Sequence, residues 1–202
     1  MPVLPTKRQC AIDLARKLRL VRPRDFDAHD LPRAYLSRLS QEGVLERLDR
    51  GLYQYADAPF EANQSLAEAS KRVPHGVICL LSALRFHDLS TQMPHQVWLT
   101  IGPKARAPKV TSPRLRIVRA SGKALTEGIE HHRIEGVSVP IYDAAKTVVD
   151  CFKYRRLVGL DVAIEALREC RRKRRTTMDE IWRFAELCRV TNVMRPYLEA
   201  LG

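Results

Sequence analysis

Arg33, Ser37, Arg38 and Gln41 follow one another at separations of four, one and three residues along the chain. If that segment is helical, the spacing brings them to one face. Arginine and glutamine carry the forked donor and acceptor geometry that matches guanine and adenine edges in a major groove, while serine lets a helix approach closely. Arg47 and Arg50 follow within a few residues, and Lys7 and Arg8 stand near the N-terminus. Side chains of that kind neutralise phosphates and fix a register without reading bases. The chemistry expected is hydrogen bonding and charge neutralisation on duplex DNA, with no bond made or broken.

Bond-making chemistry finds less to work with. A nuclease needs carboxylates that can share a divalent ion, close to a lysine. Glu127, Glu130 and Glu135 flank His131 and His132, but no E-x-K arrangement follows. Adjacent residues of a strand point to opposite faces, so His131 and His132 cannot easily share one ion. A Gly-Ser turn with paired aspartates, as nucleotide transfer would require, is also missing. Cys10, Cys79, Cys151, Cys170 and Cys188 lie far apart and form no C-x-x-C pair, which suits core thiols better than a disulfide framework or zinc site. No catalytic residue, metal or cofactor is expected.

The elements that position the first set are legible between Leu20 and Tyr55. Pro23 opens a short helix, Asp30 and Leu31 make a turn, and Pro32 opens a second helix that stops at Gly43. Tyr35, Leu36 and Leu39 take the inner side of that second helix, opposite Arg33, Ala34, Ser37, Arg38 and Gln41. Val44–Leu48 and Leu52–Tyr55 read as strands about a turn at Asp49-Arg50-Gly51, which makes a wing. Upstream, Thr6 and Gln9 form a capping box ahead of Ala11, Leu14, Ala15 and Leu18, so a helix over Lys7–Arg19 supports the motif.

The fold expected is α+β. A winged helix-turn-helix over residues 1–57 precedes a mixed α/β domain over 64–202 whose last third is helical. The boundary falls at Asp57–Asn63, where every periodicity breaks. In the second domain Ser65 and Glu68 suggest a capping box, and the apolar spacing within Val77–His87 favours a helix. Strands are expected at Gln96–Ile101, Leu115–Val118, Ile129–Ile134 and Val137–Tyr142, the last two joined at Glu135-Gly136. Helices follow after Asp143, Asp161 and Thr177, and Pro196 opens a short last one.

Composition agrees with a polyanionic partner. The net charge is +12 over 202 residues, with an isoelectric point near 9.9. Basic side chains cluster in residues 1–24, in residues 104–123 and at Arg171-Arg172-Lys173-Arg174-Arg175. No apolar leader and no apolar run of bilayer length occurs, so a cytoplasmic protein is expected, with no membrane partner. Positive charge does not separate DNA from RNA. An RNA-binding module is therefore the main alternative, although aromatics are 6% of the chain and no strand offers a Phe and Tyr stacking platform. A nuclease is the weaker one.

The segments RPRDFDAHDLPRAYLSRLSQEGVLERLDRGLYQY, VICLLSALRFHDL, QVWLTIGPKARAPK, IYDAAKTVVDCFKYRRLVGLDVAIEALRE and CRVTNVMRPYLEAL resemble the AbiEi family of antitoxins. These are transcriptional regulators of bacterial abortive-infection and type IV toxin-antitoxin systems, a form of antiviral defence. The resemblance implies a repressor that binds its own promoter DNA. It also implies a C-terminal domain that neutralises a nucleotidyltransferase-like toxin without a stable complex. Carried onto this sequence, it puts DNA contacts on Arg33, Ser37, Arg38 and Gln41, with Arg47 and Arg50 on the wing. Candidates for the antitoxin function are Lys146, Asp150, Lys153, Tyr154 and Arg155 in the distinctive DAAKTVVDCFKYR stretch. The ordinary alternative for those five is a capped, salt-bridged surface helix.

Overall fold

The structure, a computed structural model, describes residues 6–56, 63–110 and 112–200. The expected boundary at Asp57–Asn63 therefore lies, for residues 57–62, outside the described residues. The fold is α+β. The chain divides into two compact units, one of Met1–Glu68 with Arg133–Ser138, the other of Ala69–His132 with Val139–Gly202.

In the first unit the order is α1 (Lys7–Leu18), β1 (Leu20–Val21), α2 (Pro23–Asp27), α3 (Ala34–Gln41), β2 (Leu45–Asp49) and β3 (Leu52–Tyr55). The capping box at α1 is half formed: the Thr6 hydroxyl accepts from the Gln9 amide at 3.2 Å, while the Gln9 side chain donates to Asp13 instead. The strands make an antiparallel sheet in the order β1-β3-β2. The core holds Ala11, Leu14 and Ala15 from α1, Phe26 from α2, Leu36 and Leu39 from α3, and Tyr53 and Tyr55 from β3. Gly136 belongs to this unit too, at φ +70. A Cβ there would stand 2.6 Å from the Leu18 carbonyl oxygen, so only glycine fits the approach.

The second unit begins with α4 (Gln64–Arg72), whose first turn falls in the first unit. It continues through β4 (Val77–Ile78), α5 (Leu80–Phe86), β5 (Val97–Ile101), β6 (Leu115–Arg119), α6 (Lys123–Thr126), β7 (Ile129–Ile134) and β8 (Val137–Tyr142). The helical end comprises α7 (Ala144–Lys153), α8 (Arg155–Val158), α9 (Leu160–Arg172), α10 (Met178–Leu187) and α11 (Thr191–Glu199). The five strands lie in the order β6-β5-β4-β8-β7. β5 pairs parallel with β6, and β4 pairs antiparallel with β5 and parallel with β8. Glu135 and Gly136 turn β7 into β8 at φ +49 and +70, the left-handed pair that a two-residue hairpin turn requires.

Three expectations need correction. Val77–His87 is not one helix: Val77 and Ile78 pair with β5, Ile78 also opposes Ile141 of β8, and helix begins only at Leu80. An apolar run buried on every side carries no periodicity to separate strand from helix. Ser65 does not cap α4, which already includes Gln64. Pro196 sits inside α11 rather than at its start. The short α6 and α8 had no signal of their own, being one turn each. By contrast, Asp143 caps α7 through its carboxylate, 2.7 Å from the Lys146 amide. Thr177 and Glu180 form the expected capping box at α10.

Candidate nucleic-acid interface

The turn between α2 and α3 is built by the backbone. Asp30 takes φ +52, and the Leu31 amide returns to the Phe26 carbonyl at 3.0 Å, closing α2 with a left-handed cap. Pro32 then starts a tight turn, with Tyr35 and Leu36 amides bonded three residues back to Pro32 and Arg33. Regular α-helix therefore begins at Ala34, two residues after the expected start.

Burial divides α3 as its periodicity requires. Leu36 and Leu39 are buried, and Arg33, Ala34, Ser37, Arg38 and Gln41 are exposed on the other side. That face is partly engaged within the protein. The Arg33 guanidinium grips Asp27 with two parallel bonds, Nε to Oδ1 at 2.8 Å and Nη2 to Oδ2 at 2.5 Å. These bonds hold the Asp27 carboxyl below the usual carboxylate range and raise Arg33 above its own. Arg38 stacks over the Tyr35 ring, 5.6 Å from its centroid. Ser37 and Gln41 have no side-chain partner among the described residues.

On the wing, Arg47 and Arg50 are exposed beside a register shift between Arg47 and Asp49. The Asp49 carboxylate accepts from the Arg50 amide at 2.7 Å, and Arg47 Nε donates to the Asp49 carbonyl at 3.3 Å. Lys7 and Arg8 are exposed at the start of α1, where Arg8 pairs with Glu42 at 2.7 Å. Of the five candidate arginines, Arg8, Arg33, Arg38 and Arg47 thus carry side-chain contacts within the protein. The sequence did not signal Asp27 as the partner of Arg33, because the two stand on either side of the α2–α3 turn and meet only through its geometry.

The candidates of the second unit separate by depth. α7 is not a surface helix: every residue from Ala144 to Phe152 is buried. Lys146, 1% exposed, pairs with Asp150, 4% exposed. Lys146 Nζ also lies 4.2 Å from the Tyr142 ring centroid, and Cys188 Sγ donates to Asp150 at 3.6 Å. Burial raises the Asp150 carboxyl, with the Lys146 charge opposing it. Neither side chain can touch a partner directly. Arg155 donates to the Phe152 carbonyl at 3.0 Å and so satisfies the end of α7. Lys153 and Tyr154 remain, both lining a cavity of about 460 Å³.

His132 lines a second cavity, of about 400 Å³, with Phe86, His87, Glu130, Asp143 and Glu180. Its ring stands 4.7 Å from that of Phe86, and its Nε2 is 3.0 Å from Glu130. His131, by contrast, is exposed. Burial pushes the Asp143 carboxyl up to about 6. The same cause raises the Cys79, Cys170 and Cys188 thiols to about 12, 11 and 11, which leaves them protonated core groups at neutral pH. Among the described residues no group of three His, Cys, Asp or Glu side chains is placed to hold a metal ion. No helix among them is long and apolar enough to cross a membrane.

Residues 11–56 match a family model described as "Transcriptional regulator, AbiEi antitoxin". Among curated proteins no significant match is found. Among solved structures, the crystal structure of the RV2827C protein from Mycobacterium tuberculosis is similar, with a TM-score of 0.60 at 14% identity. The alignment covers 92% of this chain and 73% of that one. That similarity is one of fold.

Proposed function

We propose that this protein is a DNA-binding transcriptional repressor of the AbiEi antitoxin type. One observation carries the reading: the segment matched by the regulator family, residues 11–56, folds into a helix-turn-helix with a wing and leaves the polar face of α3 exposed. In this reading α3 lies in the major groove, with Arg33, Ser37, Arg38 and Gln41 at base edges. Arg47 and Arg50 meet phosphates from the wing, and Lys7 and Arg8 meet them from α1. Arg33 must exchange Asp27 for its target. That exchange calls for another forked acceptor, such as the O6 and N7 edge of guanine or a phosphate group.

The test is a fluorescence anisotropy titration of the full chain with its own promoter and with scrambled duplex. The promoter should bind more tightly, and both affinities should fall steeply with salt as counterions are released. Equal affinity for the two duplexes at every salt concentration would leave no repressor. A single-stranded RNA that outcompetes both would favour the RNA-binding alternative.

In the same proposal residues 1–57 carry repression of the protein's own operon. Residues 64–202 then neutralise a nucleotidyltransferase-like toxin, without a stable complex and with no enzymatic step of their own. Lys153 and Tyr154 support this part best, since they are the antitoxin candidates that reach a cavity wall. Co-expression with the toxin from a foreign promoter tests it. An Arg33→Ala, Arg38→Ala double variant should lose repression and still restore growth, whereas Lys153→Ala should repress and restore growth poorly.

A further inference from the structure

We propose that the cavity bearing Lys153 binds a ligand carrying two or three linked phosphates. The inference is independent of the DNA-binding reading, since every residue in it belongs to the second unit. Four cationic side chains line the cavity, Arg119, Lys123, Lys153 and Arg189, and no carboxylate does. Each of the four comes from a different element: the end of β6, the start of α6, the end of α7 and the residue beyond the C-cap of α10. Their convergence is a product of the fold, because no two of them share a helix face that would present them as a solvated charge stripe.

The charges are available to a ligand. Arg189 and Lys153 have no ion-pair partner among the described residues, and Lys123 stands 3.9 Å from Glu127, a loose contact on an exposed pair. Glu127 itself is also held by Arg183 at 3.0 Å. Arg119 spends its Nη1 on the carbonyls of Gly102, Pro103 and Ala105 at 2.8, 3.0 and 2.9 Å, which fixes its position and leaves its charge unneutralised. Asp150, the buried carboxylate that accepts from the Cys188 thiol, is already paired with Lys146.

An ordinary explanation for Lys153 and Arg189 is that they face the negative ends of α7 and α10. Each helix end is worth roughly half a charge. Two such ends offset about one of the four positive charges, and the Arg189 and Val190 amides already occupy α10 carbonyls at 3.0 and 2.9 Å. A net excess near three remains in a concave site. At about 460 Å³ the cavity is in the range of small-molecule sites and too small for a duplex. Three positive charges beyond the helix ends match the charge of a di- or triphosphate better than that of a single phosphate. Tyr154 fixes the rim, its hydroxyl donating to the Arg119 carbonyl at 2.9 Å. Cys188 also lines the cavity, and burial pushes its thiol up to about 11.

The experiment is calorimetric titration of the full chain with inorganic tripolyphosphate, ATP, GTP and adenosine at low salt. Tripolyphosphate and the nucleotides should bind with one site per chain, and adenosine should not. Tighter binding of ATP or GTP than of tripolyphosphate identifies a nucleotide as the ligand. Equal binding identifies the phosphate chain alone. Lys153→Gln with Arg189→Gln should weaken binding by at least about tenfold, the effect of losing charged hydrogen bonds. Arg38→Ala with Arg47→Ala, on the other basic surface, should leave it unchanged. If the first pair alters the thermal midpoint without ligand, Lys123→Gln replaces it as the deciding variant, with the same sign expected. The proposal is overturned if tripolyphosphate and the nucleotides fail to bind at millimolar concentration. It is equally overturned if binding is lost with Arg38 and Arg47 instead, or if a single-stranded oligonucleotide binds through Lys153 and Arg189 while tripolyphosphate does not.

Discussion

Helices α3 and α7 both carry paired charges, and the two pairs have opposite physical meanings. On α3 only Leu36 and Leu39 are buried, and Arg33 holds Asp27 in water, where both charges keep most of their hydration. On α7 nine of ten residues are buried, and Lys146 holds Asp150 out of water. An exposed pair can open to meet a ligand at little cost. A buried pair cannot, because each partner is then left desolvated and alone. The difference suits the first unit's helix to contact, as proposed, and makes the second unit's helix a scaffold.

Breaking the buried pair gives the largest expected effect. Lys146→Ala should lower stability by about 3–5 kcal/mol by leaving Asp150 charged and unpartnered, measured by chemical denaturation. Lys146→Met together with Asp150→Leu should recover most of that loss, since the desolvation cost goes with both charges. If the single variant is as stable as the parent, α7 is not the scaffold described here.

Next in size are the exposed arginines. Arg33→Ala and Arg38→Ala should each weaken promoter binding by about 5- to 150-fold and relax sequence preference, without moving the unfolding midpoint. Arg50→Ala should weaken all duplexes alike and reduce the slope of log affinity against log salt by roughly one. Anisotropy against a panel of single-base operator variants separates the two behaviours.

Asp143 gives a smaller, pH-dependent effect. Burial favours its neutral acid, with Glu130 and Glu180 acting in the same direction and the Lys146 amide opposing them, so the folded chain holds this proton more tightly than the unfolded chain. Its contribution to stability is full below about 3.8 and is lost as pH rises through about 6. Asp143→Asn keeps an oxygen to cap Lys146 and cannot ionise. Relative to the parent, the variant should therefore gain stability between pH 4 and pH 7, read from paired urea unfolding curves. An unchanged difference at the two pH values would mean that Asp143 titrates as an exposed carboxyl.

The smallest expected change is the most specific to the comparison. Asp27→Ala removes a carboxylate from the proposed DNA-binding face and frees Arg33, so promoter affinity should rise by about two- to fivefold, on the scale of a surface ion pair. A fall in affinity would show instead that Asp27 positions Arg33 for its contact.

Much of the first unit was legible because its elements are amphipathic and bounded. Leu36 and Leu39 set the inner face of α3, Thr6 begins α1, and Gly51 at φ +69 permits the wing turn. The second unit was legible at its caps, Asp143 and Thr177, and the β7–β8 hairpin at its Glu135-Gly136 turn, where local chemistry decides the backbone. It was illegible where burial is complete. DAAKTVVDCFKYR places lysines and an aspartate at spacings that suit a solvated face, yet α5, α9 and α10 pack around that helix.

The sequence by itself determined where α1, α2, α7 and α10 begin, which face of α3 is polar, and that the chain carries a large positive charge. Those are properties of neighbours within a few residues, governed by periodicity, capping and composition. Only the tertiary structure decided that Lys146 and Asp150 are a core pair, that Asp27 holds Arg33, and that Arg119, Lys123, Lys153 and Arg189 share one cavity. Each is a meeting of residues whose separation in sequence fits no single element or whose burial depends on what packs against them. Distance and dielectric, which set the strength of every charge interaction, are fixed only when the elements come together.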